Sequence, residues 1–428
     1  MAIPAGATIQ SLTDLLQIKY QPGLTRQFND AGPNLQFIRQ NSRDITAEGD
    51  RVRIAIETGL NEAGGVHGES ADIASAVSPT VRTVDVLLKQ MTFRARISWR
   101  FMRKARTSLN AFARGLDLTL RSTRDAMLLT ANGYTWGDGS GVVCRVLAIN
   151  VGNLTLDLDR SWGITNGGQP FATIRNNQTL HILDQKGFSG AVDRGTFRVN
   201  TTDVEISDAF VRVKITELGA SVITAVVIGD FVYLQNTITG FTDTDETTDN
   251  SPPMGLTGFY DDALVDPLQG LAILTEPFWR PHQVAGGQTT LIRDMNRAKT
   301  AAMKRAPNSR IRYLISSHES RDRWHDLLVQ KAEWRNISRL DGGAFDVAVY
   351  GGRPFFADHT APDSIIFFVP EGTLSRYNVA DFVEIINDDN STLHLVPNKT
   401  VFDILYTTLY EFGISRRNNL ISVTGLTW

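Results

Sequence analysis

The feature that most constrains the fold of this chain is a stretch of about 100 residues, 143–250, in which apolar and polar residues alternate with a period of two. Its segments, such as VVCRVLAI, TLHILD and AFVRVKI, are divided by Gly, Asn and Asp, which favour turns. Short, evenly spaced strands of this kind predict a small barrel or sandwich rather than a mixed α/β layer. The stretch runs into a polar linker, TDTDETTDNSPP, at 242–253.

Two further predicted strands precede this stretch and are joined by an unusually long connection. Val52 and Ile54 alternate with polar residues in the first strand, and Val84 and Val86 do so in the second. The connection, 58–83, is rich in Gly, Ala and Ser, whereas hairpin loops usually contain two to five residues. The sequence therefore predicts a long projecting loop, and we expect it to make contacts.

A third strand is predicted at 93–100, with apolar residues on one face and Arg94, Arg96 and Arg100 on the other. The periodicity then changes to steps of three and four residues, which predicts a long helix at 109–131. One face of the strand is predicted to be core, and the other is strongly cationic.

The two ends of the chain differ in character. Residues 1–50 carry few apolar anchors between Pro and Gly, so they predict an arm that packs on a neighbouring subunit or a free terminus. Beyond the linker, helices are predicted at about 288–305 and 318–334, and strands return at 345–428. The fold class that follows is α+β.

The charges are unevenly distributed although the formal net charge is only −3. Residues 89–124 contain ten basic side chains and one acidic side chain, while residues 241–266 contain seven acidic side chains and no basic one. Such opposite local fields favour pairing between subunits or, on the basic side, contact with phosphates without reading of base sequence. A solvated helix face is the plain alternative.

Enzyme signatures are missing from the sequence. It contains no H-E-x-x-H zinc motif, no G-x-S-x-G nucleophile turn and no Gly-Lys pair of a phosphate-binding loop. We therefore predict no catalytic residue, no cofactor and no metal. An acidic run at Asp243, Asp245, Glu246 and Asp249 leaves a Ca²⁺ site open as an alternative, because Ca²⁺ prefers several oxygen ligands.

Several features bear on the compartment. Cys144 is the only cysteine, so it cannot form an intrachain disulfide, which suits a reducing cytoplasm. The first residues lack the basic and apolar regions of a signal peptide. No uncharged apolar run reaches about 18 residues, so we expect no membrane span.

The order of these elements, together with several short phrases, resembles the major capsid proteins of tailed phages, which share the Hong Kong 97 fold. The phrases are PMGLTGFYDD at 253–262, YLISSH at 313–318, YGGRP at 350–354 and FVPEGTL at 368–374. The resemblance implies an α+β Hong Kong 97-like fold with an N-terminal arm, an extended loop, a spine helix, peripheral and axial domains, and an inserted all-β module.

Applied to this sequence, the resemblance implies six segments. They are an N-terminal arm at 1–50, the extended loop with its flanking strands at 51–106, the spine helix of the peripheral domain at 107–142, an inserted β-barrel or sandwich module at 143–250, an axial-domain-like α+β region at 251–345, and returning strands of the peripheral and axial domains at 346–428. Because the first core strand is predicted to begin near residue 51, we expect a separate scaffolding protein or none. The extended loop contains no Lys, so no covalent crosslink is expected from it.

The function implied is that of a structural protein that self-assembles as hexamers and pentamers into an icosahedral phage head around double-stranded DNA. Its partners would be itself, DNA held by non-specific electrostatics, and a portal protein, with room for separate scaffolding and decoration proteins. It would be assembled in the host cytoplasm and located in the virion. The alternatives are an encapsulin-like nanocompartment and, in another class, a β-rich, Ca²⁺-dependent carbohydrate-active enzyme.

Two groups of residues are predicted to make contacts. The inter-subunit group in the extended loop comprises Gly64, Gly65, His67, Glu69 and Asp72. The basic group, predicted to face either neighbouring subunits or packaged DNA, comprises Arg94, Arg96, Arg100, Arg114, Arg121 and Arg124.

Overall fold

The structure is a computed structural model that describes residues 38–40, 51–59, 78–99, 109–159, 174, 178–186, 191–206, 210–219, 221–234, 252–262, 268–287, 289–305, 310–330, 348–358, 360–378, 384–386, 394–397 and 399–426. In 109–118 and 201–206, the description is limited to the backbone. The helices are α1 (Leu109–Tyr134), α2 (Leu256–Tyr260), α3 (Leu291–Arg305) and α4 (His318–Gln330).

The strands of the first half are β1 (Arg39–Gln40), β2 (Arg51–Gly59), β3 (Thr80–Leu87), β4 (Lys89–Ser98), β5 (Val142–Asn150), β6 (Thr155–Asp159), β7 (Thr179–Leu183), β8 (Asp193–Ile206), β9 (Phe210–Glu217) and β10 (Phe231–Leu234). Those of the second half are β11 (His282–Ala285), β12 (Ile311–Ser316), β13 (Ala348–Tyr350), β14 (Arg353–Ala357), β15 (Ile366–Pro370), β16 (Leu374–Asn378), β17 (Glu384–Ile385), β18 (His394–Leu395), β19 (Val401–Ile414) and β20 (Ile421–Thr424).

The first sheet is organised around β19, which has 14 residues. Antiparallel β4 pairs along it from Val401 opposite Ser98 to Tyr410 opposite Lys89, and the short β17 and β18 also pair with residues of this stretch. Strand β16 pairs with β19 from Tyr410 to Ile414, and β1 joins β16 in parallel. The strand predicted at 93–100 thus begins at Lys89, four residues earlier. Its alternation holds from Lys89 to Ser98, but Trp99, predicted on the core face, is 40% exposed.

The long helix is present and extends three residues beyond the predicted end, to Tyr134. Its buried side chains, including Leu120, Met127 and Ala131, are spaced at three, four and seven residues, as expected for one apolar stripe. They join one hydrophobic core with the inner face of β4, so this helix covers the first sheet.

A buried polar cluster fixes the end of α1. The side-chain amide of Asn132 donates to the hydroxyl of Thr360 at 2.8 Å, and the indole N–H of Trp136 donates to the same oxygen at 2.8 Å. Thr360 in turn donates to the carboxylate of Asp358 at 2.7 Å. Since polar groups without water must find partners, this cluster holds the helix end against the chain that follows β14 in one arrangement.

The second sheet has the order β11-β20-β15-β12-β14-β13 and mixes parallel and antiparallel pairs. The helices predicted at about 288–305 and 318–334 are α3 and α4, which share a hydrophobic core with this sheet; residues 331–334 lie outside the described ranges. Ser317 lies at the N-terminus of α4, where its hydroxyl accepts from the Ser320 amide at 3.3 Å.

Six strands form a closed barrel in the order β10-β5-β6-β9-β8-β7. They lie between Val142 and Leu234, so the alternating stretch forms a barrel rather than a sandwich, and residues 235–250 lie outside the described ranges. The barrel has its own core of aliphatic and aromatic side chains. Cys144 lies in it, and burial raises the pKa of its thiol well above the ordinary value.

The 3-10 turn Arg417–Asn419 is tied to α2 by its first residue, a buried arginine. The guanidinium of Arg417 donates to the backbone carbonyls of Phe259 at 3.0 Å, Asp261 at 2.7 Å and Gly258 at 3.3 Å. It thereby satisfies carbonyl groups at a helix end that have no partner within the helix. Burial lowers the pKa of Arg417 to about 10.

Candidate functional site

Strands β2 and β3 form a separate two-stranded sheet, which we call the ribbon. Its base is buried: Val52, Val84 and Val86 are fully covered and belong to the same core as α1. Two polar contacts also hold it, since the amide of Asp85 donates to the carbonyl of Gln269 at 3.1 Å and Arg82 pairs with Glu276 at 3.0 Å. The base of the ribbon is therefore part of the main folded unit, made of the two mixed sheets and helices α1–α4, which we call the body.

The outer part of the ribbon is exposed. On β3, residues 80–83 are all exposed even though successive side chains point to opposite faces. Val81 is 57% exposed, and its partner across the ribbon, Glu57, is exposed too. Among the described residues, both faces of β3 are therefore uncovered at the end of the strand that adjoins the loop.

An isolated pair of strands is only marginally stable in water, so a ribbon of this kind needs packing from elsewhere. Its base obtains that packing from the body. Further out, Ile56 is partly buried against the same core and Arg82 pairs with Glu276, but residues 80–83 of β3 stay exposed. The five predicted contact residues of the extended loop, Gly64, Gly65, His67, Glu69 and Asp72, lie outside the described residues. What the structure describes is the platform from which that loop starts.

The second candidate surface is the outer face of β4, which carries Arg94 and Arg96. Both arginines approach Asp403 on β19: Arg96 donates two hydrogen bonds to the carboxylate, at 2.8 and 3.1 Å, and Arg94 lies 3.6 Å from it. The Asp403 side chain is 8% exposed, whereas those of Arg94 and Arg96 are 57% and 40% exposed. One carboxylate thus serves two cations, and the cluster retains a net positive charge.

The electrostatics of this cluster follow from its geometry. Hydrogen bonds from Arg96 to Asp403, and then the charge of that carboxylate, raise the pKa of the Arg96 guanidinium. Bidentate arginine–carboxylate pairs are directional, so Arg96 is oriented along the sheet. Arg94 has the longer contact and the greater exposure, so its charge is the more accessible of the two to solvent.

The other predicted arginines are not brought into this cluster by any described contact. Arg124 pairs with its neighbour Asp125 at 2.6 Å, and Arg121 is exposed on α1. Arg114 lies in the part of α1 described by its backbone alone, and Arg100 lies outside the described residues. The structure therefore groups two of the six predicted arginines.

Sequence reasoning missed Asp403, Glu276 and Gln269, the three residues that organise these surfaces. Asp403 is one of two acidic residues, with Glu411, in a largely apolar strand, which is a signal that could have been noticed. Its partnership with Arg96, however, depends on the pairing of strands 307 residues apart, and alternation within one strand does not specify that register.

The barrel also has an apolar surface. Val222, Val227 and Ile228, on the chain around the 3-10 turn Ile223–Ala225, are 48%, 50% and 66% exposed. They are followed by Gly229, which has a φ of +97°, and by the buried Asp230. Exposed aliphatic side chains that lie close together are typical of contact surfaces.

Nothing in the described ranges resembles a metal site or a membrane span. No three described Asp, Glu, His or Cys side chains are grouped so that they could hold a metal ion. The alternative Ca²⁺ ligands, Asp243, Asp245, Glu246 and Asp249, lie in 235–251, outside the described residues. None of the described helices is both long enough and apolar enough to cross a bilayer.

Comparison with known proteins gives likenesses in structure but none in sequence. No protein-family model matches the chain, and no curated protein matches it. Among solved structures, it is similar to a chain of the cyanophage A-1(L) capsid asymmetric unit, with 12% identity, 92% of this chain and 93% of that chain covered, and a TM-score of 0.44.

Two other similar structures come from a phage and from a cyanobacterium. A Mycobacterium phage Bobi chain has 9% identity, with 92% and 90% of the two chains covered and a TM-score of 0.41. The SrpI encapsulin complex of Synechococcus elongatus PCC 7942 has 8% identity, 91% and 86% coverage, and a TM-score of 0.39. Identities this low transfer no residue role to this chain.

Proposed function

We propose that this chain is the structural subunit of a tailed-phage head, a major capsid protein of the Hong Kong 97 type, and that it is not an enzyme. The observation that carries the proposal is the ribbon, whose base belongs to the body while residues 80–83 are exposed on both faces. A chain that presents strands in this way needs a partner to cover them. The order of elements and the short phrases in the carboxyl half of the sequence support a second copy as that partner.

In the proposed shell, the N-terminal arm and the extended loop at 58–83 lie across adjacent subunits and bury surface that a single chain cannot cover. Gly64, Gly65, His67, Glu69 and Asp72 make the loop's contacts. Each contact is weak, but a closed shell repeats it many times, so the stability of the shell grows by multivalency. Hexamers and pentamers of the chain then close into an icosahedron.

The cluster of Arg94 and Arg96 around Asp403 supports an electrostatic role for the outer face of β4. Exposed guanidinium groups bind carboxylates of a neighbour or phosphates of packaged double-stranded DNA without reading base sequence. We propose the same two alternatives for Arg100, Arg114, Arg121 and Arg124. DNA retention by assembled shells, compared with assembly of empty shells, separates the two.

The segments take the roles that the resemblance gives them. Residues 1–50 form the arm, 51–106 the extended loop with its strands, 107–142 the spine helix and 143–250 an inserted module. Residues 251–345 form the axial-domain-like region, and 346–428 supply the returning strands of the peripheral and axial domains. The exposed aliphatic residues of the barrel support a contact role for the module, either bracing neighbours or receiving a decoration protein. A portal protein and a separate scaffolding protein complete the proposed set of partners, in particles assembled in the host cytoplasm.

Negative-stain microscopy and light scattering of the purified chain test the proposal. Closed shells or rings of subunits are expected, and a compact monomer at all salt and protein concentrations would contradict it. The contents of shells formed in cells distinguish a phage head, which holds DNA, from an encapsulin-like compartment, which holds protein cargo. The enzyme alternative predicts that replacing Asp243, Asp245 and Asp249 by Asn abolishes an enzymatic activity or the binding of Ca²⁺.

A further inference from the structure

The barrel is joined to the rest of the chain by two connections that run side by side, and we call them the stem. The outgoing connection is 135–141. The described part of the returning one is 252–258, because residues 235–251, which link it to β10, lie outside the described ranges. The barrel's core shares no residue with the other two cores. The main packing partners of each barrel strand are other barrel strands and the 3-10 turn that follows β9. The orientation of the barrel therefore depends on the stem and on what touches it.

The part of the stem nearest the body is rigid. The amide of Leu256 donates to the carbonyl of Thr135 at 2.7 Å, and the hydroxyl of Thr257 donates to the carbonyl of Trp136. A Cβ atom at Gly255 would lie 2.6 Å from the amide nitrogen of Gly137, closer than any side chain can approach. The two connections are thus pressed together and cannot shift independently.

The part nearest the barrel is different. Gly139 and Gly141 have φ values of +83° and +81°, a region that only glycine adopts readily. Between them, Ser140 is held by Asp138, whose Oδ1 accepts from the Ser140 amide at 3.0 Å and from its hydroxyl at 2.5 Å. Hinges between domains are a few loop residues that absorb changes in φ and ψ, and they are often small residues such as these.

One ion pair spans this pliable part. The second oxygen of Asp138, Oδ2, lies 2.5 Å from the Nζ of Lys186, which follows β7 of the barrel. The Asp138 side chain is 8% exposed and that of Lys186 is 45% exposed, so solvent reaches this pair mainly from the lysine side. The same carboxylate therefore shapes the turn through one oxygen and holds the barrel through the other.

We propose that the Asp138–Lys186 ion pair is a latch that fixes the orientation of the barrel on its stem, and that breaking it lets the barrel swing about Gly139 and Gly141. The inference concerns the isolated chain and does not depend on whether the chain forms shells. It makes Asp138 and Lys186 positioning residues for whatever surface the barrel presents.

A distance measurement between the barrel and the body tests the latch. Cysteines replacing the exposed residues Asn153 and Glu371 carry spin labels, while the native Cys144 is fully buried and remains unlabelled. Pulsed electron resonance then gives the distribution of distances between the two labels. Labelled chains are diluted with unlabelled chain so that distances between different copies do not contribute.

The variants distinguish loss of the Asp138–Lys186 ion pair from a general loss of barrel stability. Lys186→Met removes the ion pair, and Asp138→Asn removes its charge while keeping an oxygen for Ser140. Lys186→Arg keeps the charge and should restore the parent distribution. Arg212→Gln is the matched control, because it breaks an ion pair of 2.6 Å to Asp157 that lies wholly within the barrel.

We expect a narrow distribution for the parent, Lys186→Arg and Arg212→Gln, and a broadened or shifted one for Lys186→Met and Asp138→Asn. Circular dichroism on the same samples checks that each variant is folded. Distributions for Lys186→Met and Asp138→Asn that superimpose on the parent's would overturn the proposal. Equal broadening in Arg212→Gln would overturn it too, because the effect would then not be specific to the stem.

Discussion

The barrel and the ribbon are both made of antiparallel strands, yet they solve the problem of exposed strand edges in opposite ways. The six barrel strands close on themselves, so each has a hydrogen-bonded neighbour on both sides. The ribbon has two strands, each with one neighbour, and leaves residues 80–83 exposed. Its buried valines belong to the core of the body, whereas the barrel's belong to the barrel.

This difference shows that strand content alone does not decide whether a segment can fold independently. Closure gives the barrel a complete core from its own residues. The buried side chains of the ribbon share one core with α1 and the first sheet, whereas residues 80–83 of β3 remain exposed. A self-sufficient module suits a surface attachment, and an incomplete one suits a contact that forms only between subunits.

The largest expected effect comes from removing the loop that the ribbon carries. Deleting residues 62–78 should abolish closed shells and leave the subunit folded, because the buried valines at the base of the ribbon are retained. Electron microscopy measures the first outcome and thermal unfolding the second. Replacing the same residues with a Gly/Ser linker of equal length controls for chain connectivity. Normal shells from either variant would contradict the assigned role of the loop.

Expressing each region as a separate fragment tests this comparison directly. A fragment of residues 142–234 should fold cooperatively, because it contains the whole barrel and its core. A peptide of residues 51–87 should not fold, because Val52, Val84 and Val86 lose the body side chains that cover them. Thermal melts by circular dichroism measure both. An unfolded barrel fragment, or a folded ribbon peptide, would contradict the interpretation that the barrel folds by itself and the ribbon does not.

Point substitutions make the same comparison within the intact chain. Phe197 in the barrel is fully buried, so Phe197→Ala should lower the free energy of unfolding of the barrel by about 3–5 kcal/mol. Val81 in the ribbon is 57% exposed, so Val81→Ala should change stability by less than about 0.5 kcal/mol. Val81→Ala should instead weaken assembly, which light scattering against protein concentration detects. A large loss of stability in Val81→Ala would show that the ribbon is already covered.

Much of this architecture is predictable from local patterns in the sequence. Alternation predicted which faces of β4 are buried, and the spacing of apolar residues predicted α1 to within three residues at its end. Trp99 was the exception, because the burial of a side chain at a strand end depends on what lies beyond the strand. Local patterns succeed where the element itself determines the outcome.

The candidate surfaces were less predictable, because they depend on pairings between distant residues. The barrel's closure requires β10 to pair with both β5 and β7, which alternation within each strand cannot reveal. The arginines of β4 were identified as a cationic face, but their partner Asp403 was not. The sequence also gave no sign that Lys186 reaches Asp138, since 48 residues separate them in the chain.

A buried acid, Glu411, lies in the region where the barrel and the ribbon join the body. Its carboxylate accepts from the amides of Met254, on the returning connection of the barrel, and Phe412, at 2.9 and 2.8 Å. Two residues further on, a Cβ at Gly413 would lie 3.0 Å from Val86 at the base of the ribbon. Burial raises the pKa of Glu411 to about 8, against the opposing effects of these two hydrogen bonds and of Lys89.

A raised pKa means that the folded chain holds a proton that the unfolded chain has released. Stability should therefore fall as the pH rises from 4.5 towards about 8, by at most about 1.4 kcal/mol for each pH unit. Glu411→Gln should flatten that part of the profile, because the amide keeps an acceptor oxygen and does not titrate. Denaturant unfolding across this pH range measures the slope. An identical slope in the variant would show that Glu411 does not titrate there.

The smallest effect on folding is expected at the exposed arginines of β4. Arg94→Gln should leave the melting temperature almost unchanged, because its contact with Asp403 is 3.6 Å and its side chain is 57% exposed. Arg96→Gln should lower it slightly more, because two hydrogen bonds to a nearly buried carboxylate are lost. If the cationic face meets a charged partner, both variants should reduce the salt dependence of assembly or of DNA retention. An unchanged salt dependence in both processes would confine the cluster to holding β4 on β19, and would leave the ribbon as the main contact between subunits.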